Sequence, residues 1–287
     1  MNKLGIHALV WVGGWSEPEA RHAISASAAA GYDLIEIPVL DPGTVDAAGT
    51  RRLLDEYGLA AGCSLGLSFD ADISSRDPAA VARGQELLDA ALAVAKGVGA
   101  DYLGGVIYSA LGKYAQPVTD AGRKNCVDSL ARLADRAAAD GITLGLEVVN
   151  RYESNVLNTT EQALALIDDI GADNVVVHLD TYHMNIEEPD FTTPVEQAGG
   201  RLGYVHVGEG HRGYLGTGTV DFAEFFRALH QADYGGVITF ESFSSAVVNP
   251  TLSSNLAVWR NLWSDGVDLA THAKQFVVDG LAAAGDA

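Results

Sequence analysis

The run VVVHLDTYHMN, Val175 to Asn185, decides how this chain is read. Three consecutive β-branched residues describe a strand buried on both faces, as in a parallel sheet, and the run breaks at once into His178, Asp180 and His183. A strand built for a core thus ends in groups that bind metals and move protons. Three other strand-like runs end the same way: TLGLEVVNRYE carries Glu147, LGYVHVGEGHR carries His206, and GVITFESF carries Glu241. From Glu147 through Asp180 and His206 to Glu241 the intervals are 33, 26 and 35 residues. Each is near the roughly 30 residues of a strand plus its crossover helix. Ligand-type side chains therefore recur once per βα unit at C-terminal strand ends, where a (β/α)8 barrel keeps its active site.

The remainder of the chain follows the same alternation. Its 287 residues sit near the size of one complete barrel, about 250 residues, so a single α/β domain, a (β/α)8 TIM barrel over residues 1–287, is expected. Leu4 to Trp11 reads as the first strand and Pro18 to Ala30 as the first helix; YDLIEIPVL follows as a strand, then a helix over Thr44 to Tyr57. LAAGCSLGL and YLGGVIYS are the third and fourth strands. Between them Asp77-Pro78 offers N-cap and N1 chemistry for a helix to about Val98. Further helices are expected over Thr119 to Ala139, Thr160 to Ile170, Pro194 to Ala198, Asp221 to Gln231, and from about Asn255 onward.

A formal net charge of −20 argues against nucleic acid, whose phosphates require a basic face. It also argues against a DNA-cleaving relative of such barrels. No 18-residue uncharged apolar run is present to span a bilayer. The N-terminus lacks the apolar core and small-residue site of a signal peptide, so a cytoplasmic protein without a membrane partner is expected. Cys63 and Cys126 form no CxxC pair and read as buried free thiols. His272, alone on an amphipathic C-terminal helix, reads as a packing residue.

Glu147, Asp180, His206 and Glu241 together offer three carboxylates and one imidazole. That donor set suits a hard-to-borderline ion, so one divalent metal is expected, Mn²⁺ ahead of Mg²⁺ and Co²⁺. His178 lies on the same side of its strand as Asp180 by the two-residue period. It is left outside the ligand set, either as an orienting partner or as a residue of the barrel interior.

The motifs LEVVNRYESNVLNT, HLDTYHMNIEE, HVGEGHRGYLGTGTVDF and FESF resemble those of the ketose 3-epimerases, the D-tagatose, D-allulose (psicose) and L-ribulose 3-epimerase group of xylose-isomerase-like TIM barrels. The likeness runs from MNKLGIHALVW to AVWRNLW. It implies metal-dependent C3 epimerisation of free ketoses such as D-fructose/D-allulose, D-tagatose/D-sorbose or L-ribulose/L-xylulose, by proton removal and return through a metal-stabilised enediolate. Glu147 and Glu241 are then both metal ligands and the acid/base pair. The resemblance further implies that Glu153, His183 and Arg212 contact the O1/O2 end of the sugar, and that Gly66 and Gly105 line the pocket. His7, where some relatives carry Phe, is placed with Trp11 near the sugar's far end. A homodimer or homotetramer is implied as well, with Trp259 and Trp263 available to an interface or to the core.

Two alternatives stay on the same scaffold. One is an aldose–ketose isomerase using the same metal. The other is a sugar-phosphate isomerase with EGHRGYLGTG as the phosphate loop, although that loop holds one arginine and no lysine. Arg212 could also pair with Glu209 or Glu188 at the surface.

Overall fold

The computed structural model describes residues 2–286. Its eight strands are β1 (Leu4–His7), β2 (Leu34–Pro38), β3 (Ala60–Leu67), β4 (Tyr102–Ala110), β5 (Thr143–Glu147), β6 (Val175–Asp180), β7 (Leu202–Val207) and β8 (Val237–Phe240). They pair in parallel in chain order, and β1 closes on β8 through Leu4 with Ile238 and Ile6 with Phe240. Around this barrel lie α1 (Glu17–Ala29), α2 (Ala47–Tyr57), α3 (Pro78–Val98), α4 (Asp120–Ala139), α5 (Thr160–Ile170), α6 (Thr181–Glu187), α7 (Thr193–Ala198), α8 (Phe222–Gln231), α9 (Pro250–Asn255) and α10 (Gly266–Gly285). The chain is a single TIM barrel, as the strand-and-helix alternation requires.

The local chemistry explains where elements begin. Asp77 accepts the N–H of Ala79 with Pro78 in the first turn of α3, and Thr159 and Gln162 form a reciprocal capping box on α5. On α8, Phe222, Phe225, Phe226 and Leu229 recur at helical spacing and are buried. Phe222 and Phe226 meet Phe276 of α10, so these two helices close the outer ring beside β8. Cys63 and Cys126 are free and buried. His272 Nε2 donates to the Leu215 carbonyl, and the ring packs on Tyr214 and Phe276.

Register fixes which side chains meet inside. His7 pairs with Glu36, Glu147 with His178, and Asp180 with His206. Paired residues of adjacent parallel strands face the same side of the sheet, so each pair meets within the barrel. The register between β3 and β4 slips after Gly66. There Gly105 adopts φ +97°, and a Cβ on it would stand 2.4 Å from the Leu65 carbonyl oxygen. Only glycine meets both conditions.

Four boundaries differ from the sequence reading. The first strand ends at His7 and not Trp11, because the His7 ring accepts the Leu9 N–H and turns Ala8–Val10 into a short 3-10 turn. The expected helix from Thr44 is split: Asp41 caps the turn Pro42–Thr44 and Asp46 separately caps α2. Asp180 starts the extra helix α6 by accepting the Tyr182 N–H. The last helix does not begin at Asn255. Asn249 caps the short α9, an irregular stretch follows, and Asp265 caps α10. Within that stretch Trp259 is 72% exposed, whereas Trp263 is buried and donates to Ser242.

Candidate metal centre and active-site cavity

Glu147 is the last residue of β5, Asp180 the last of β6, His206 lies one residue from the end of β7, and Glu241 follows β8. All four are buried, and one ligand atom from each lies within 4.8 Å of the others. His206 Nδ1 is 3.5 Å from Glu147 Oε1 and 3.5 Å from Glu241 Oε1. That nitrogen is buried and has no hydrogen-bond partner among the described residues. A buried, unpartnered imidazole nitrogen aimed into converging carboxylates fits a divalent cation, and the oxygen-rich set fits a hard-to-borderline one.

The charges are consistent with such a site. Burial, opposed by His206 and reinforced by Glu241 and Asp180, pushes the Glu147 carboxyl up to about 7. Burial also works against a charge on His206, yet Glu36, Glu241 and Glu147 outweigh it and raise its pKa well above the ordinary value. Without a cation the cluster thus retains protons that a metal would displace.

The other expected residues border this cluster. His183 Nε2 is 3.6 Å from Asp180, 3.8 Å from Glu147 and 4.0 Å from Glu153. Its Nδ1 accepts the backbone N–H of Asn150, so the ring proton sits on Nε2 and faces the cavity. Burial lowers the His183 pKa to about 3, which keeps the ring neutral. Glu153 accepts from the Asn150 side chain. Arg212 does not pair with Glu209 or Glu188: its Nη1 donates to Glu241 Oε2 at 2.7 Å and Asp180 Oδ2 at 3.1 Å. Its guanidinium lies 3.7 Å over the Tyr182 ring and 5.0 Å from that of Phe243.

Arg212 has φ +60°, a conformation that is costly for a residue with a side chain. Its N–H bonded to Glu209 and its carbonyl bonded to Ser242 hold it there.

A cavity opens over this cluster at the C-terminal ends of the strands. His7, Gly66 and Gly105 line it, with Leu9, Pro38, Val106 and Leu111 as an apolar wall. His7 is buried; its Nε2 faces Ser64 Oγ at 3.4 Å, Glu36 at 3.6 Å and Glu241 at 4.0 Å. Trp11 lies away from this lining, in the hydrophobic core. His178 stands deeper in the barrel, its Nδ1 2.9 Å from the Tyr102 hydroxyl and its ring edge-on to His206 at 4.1 Å between centroids. With Glu147 and His206 it forms a second possible ligand group.

Four residues of this region escaped the sequence reading. Glu36 is fully buried on β2 and lies 2.8 Å from His206 Nε2. Its signal was an acid interrupting the apolar run LIEIP. Asn150 orders both His183 and Glu153, and no residue pattern distinguished it from a loop asparagine. Tyr182 and Phe243, the rings beneath Arg212, were likewise not singled out.

The chain is similar to several known proteins. The family model described as xylose isomerase-like TIM barrel matches residues 24–262. An L-ribulose 3-epimerase of Methylomonas sp. (strain DH-1) is 57% identical, covering 95% of this chain and 96% of its own. A ketose 3-epimerase of Arthrobacter globiformis is 50% identical over 98% of this chain and 97% of its own. The crystal structure of a D-allulose 3-epimerase from Methylomonas sp. in complex with D-allulose superposes with a TM-score of 0.95 at 56% identity, covering 97% of this chain and 96% of that one.

Proposed function

The chain belongs to the xylose isomerase-like TIM-barrel family and, within it, to the ketose 3-epimerases, which are isomerase-class enzymes, and from that premise we propose that it inverts C3 of free ketoses with a divalent metal bound at Glu147, Asp180, His206 and Glu241. The observation that carries this reading is that carboxylates at the end of β5 and just after β8 each approach the same His206 nitrogen to 3.5 Å. A bound ion there supplies Lewis-acid stabilisation of the negative charge that develops on the sugar's oxygens as the C3 proton leaves.

The proton itself is the business of the side chains. Inversion requires a base on one face of C3 and an acid on the other, and Glu147 and Glu241 enter the cavity from different strands. One glutamate takes the proton and its counterpart returns one; the substrate's C3 configuration decides which, and the roles exchange in the reverse direction. His183 offers a neutral Nε2–H toward the same space, and Glu153 offers an acceptor, so together they orient the O1/O2 end of the ketose. Arg212, pinned between two carboxylates and two rings, presents its remaining donors as a fixed fork. His7, Gly66 and Gly105 border the sugar's far end.

A free sugar is favoured over a phosphorylated one because, among the described residues, Arg212 is the only arginine or lysine that lines the cavity, and it is already paired. L-Ribulose and D-allulose lead the proposed substrates, since the similar proteins are named for them. Manganese is the proposed ion on the donor set. A homo-oligomer of two or four copies in the cytoplasm completes the reading on family resemblance.

The test is a panel of free ketoses offered to protein stripped of metal and then given Mn²⁺, Co²⁺ or Mg²⁺. Conversion to the C3 epimer only after metal return supports the proposal. Aldose formation would favour the isomerase reading, and conversion that persists without metal would remove the ion from it.

A further inference from the structure

We infer that Glu36 is a positioning residue that holds the His206 ring with its proton on Nε2, so that the Nδ1 lone pair faces the three carboxylates. The inference rests on the metal reading of the site, and it extends that reading to a residue on the far side of the barrel from the ligands' own strands.

The geometry is direct. Glu36 lies on β2, 170 residues before His206, and is 0% exposed. Its Oε2 is 2.8 Å from His206 Nε2. A carboxylate only accepts, so the imidazole must be the donor and its proton must lie on Nε2. The nitrogen left over, Nδ1, is the buried atom without a partner that points between Glu147 and Glu241. One hydrogen bond thus decides which ring nitrogen is free to ligate and which way the ring faces.

The other oxygen of Glu36 reaches into the cavity. Among the described residues Oε1 has no hydrogen-bond partner, and it lies 3.6 Å from His7 Nε2. His7 has its own tautomer fixed, because Nδ1 accepts the Leu9 N–H, so its Nε2–H also faces Glu36. A fully buried carboxylate is expensive unless donors surround it. Here the bonded donor is the ring that faces the metal position, and the His7 Nε2–H, from the ring that lines the sugar cavity, stands 3.6 Å from the other oxygen. A residue placed only for packing would be apolar like its neighbours Ile35 and Ile37.

A carboxylate behind a ligating histidine is worth about 10–100-fold in metal affinity. The test measures Mn²⁺ affinity by titration of free ion for the wild-type protein, Glu36→Gln and Glu36→Leu, together with thermal unfolding of each metal-free protein. The expected result is binding weaker by about tenfold for Glu36→Gln, which keeps an acceptor, and approaching a hundredfold for Glu36→Leu, which keeps none. Folded variants that bind Mn²⁺ within about twofold of wild type would overturn the inference while leaving the metal reading intact. Wild-type protein that binds no Mn²⁺ would overturn both.

A second measurement needs no variant. In ¹⁵N-histidine-labelled wild type loaded with Mg²⁺, His206 should show a protonated, strongly hydrogen-bonded Nε2 and an unprotonated Nδ1. A proton on Nδ1 of that ring would contradict the assignment.

Discussion

The backbone N–H of Asn150 donates to Nδ1 of His183 across 3.1 Å, and this one bond fixes the imidazole as a donor into the active-site cavity. Because burial lowers the ring's pKa to about 3, His183 stays a neutral donor throughout the physiological range. His183→Phe keeps a ring but removes the N–H. It should lower kcat/KM by about 10–100-fold, the worth of one buried hydrogen bond of roughly 1.5–3 kcal/mol. Metal affinity should be unchanged, since His183 is not among the four converging ligands. Steady-state kinetics within about twofold of wild type would remove it from substrate contact.

Removing either acid should separate proton exchange from inversion. Glu147→Gln and Glu241→Gln are each expected to lower epimerisation by about a thousandfold or more, combining lost acid–base catalysis with weaker metal binding. Each variant should still exchange the C3 hydrogen of the epimer whose proton faces the surviving glutamate, without net inversion. Solvent-deuterium uptake into recovered substrate, followed by NMR for both epimers, is the measurement. Variants that both retain inversion would contradict the two-glutamate scheme.

Metal affinity should depend on pH in a defined direction. Glu147 sits near 7 and His206 is raised well above its ordinary value in the metal-free site, so binding must expel protons as pH falls below their pKa values. Affinity for Mn²⁺ should rise by between about tenfold and a hundredfold per pH unit approaching neutrality, then less steeply once Glu147 is ionised. Calorimetry in buffers of different ionisation enthalpy will report the released protons. Binding that ignores pH across this window would show that these groups do not ligate.

The same shift has a consequence for stability. Glu147 is raised from its ordinary 4.5 to about 7, so the folded metal-free state binds this proton more tightly than the unfolded chain. Its contribution is complete below about pH 4.5 and is lost as pH rises through about 7. Metal addition should therefore raise Tm more above neutrality than at about pH 5, where the proton competes. Equal Tm gains at both pH values would contradict the assignment.

Gly105→Ala tests the fold rather than the chemistry. With φ +97° and the Leu65 carbonyl 2.4 Å from any added Cβ, the substitution must shift β3 or β4. A loss of about 1–3 kcal/mol from backbone strain is expected in denaturant unfolding. A variant as stable as wild type would mean that the bulge between these strands relaxes freely.

What the sequence made legible follows the reach of its signals. Glu147, Asp180, His206 and Glu241 each sit at the end of an apolar run, so their spacing alone placed them on one rim of a barrel, and the folded chain brings them within 4.8 Å. Glu36 lies 170 residues from the ring it holds, and that pairing exists only once β2 and β7 face each other across the closed barrel. The first strand was read too long because hydrophobic alternation continues past His7, whereas the His7 side chain itself turns the backbone. The stretch between α9 and α10 failed similarly. Its apolar residues suggested a helix, but Asn249 and Asp265 cap two separate ones. Arg212 was legible as a residue, while its partners Asp180 and Glu241 were not, since the strained turn that aims it inward depends on Glu209 and Ser242.

The most direct test of the whole account is epimerisation of L-ribulose or D-allulose by the Mn²⁺-loaded protein in D₂O, with the product's label located by NMR. Proton removal by one glutamate and return from the other predicts one deuterium at C3 of the inverted sugar. Label confined to C1, or an inverted product that keeps its original C3 hydrogen, would contradict it.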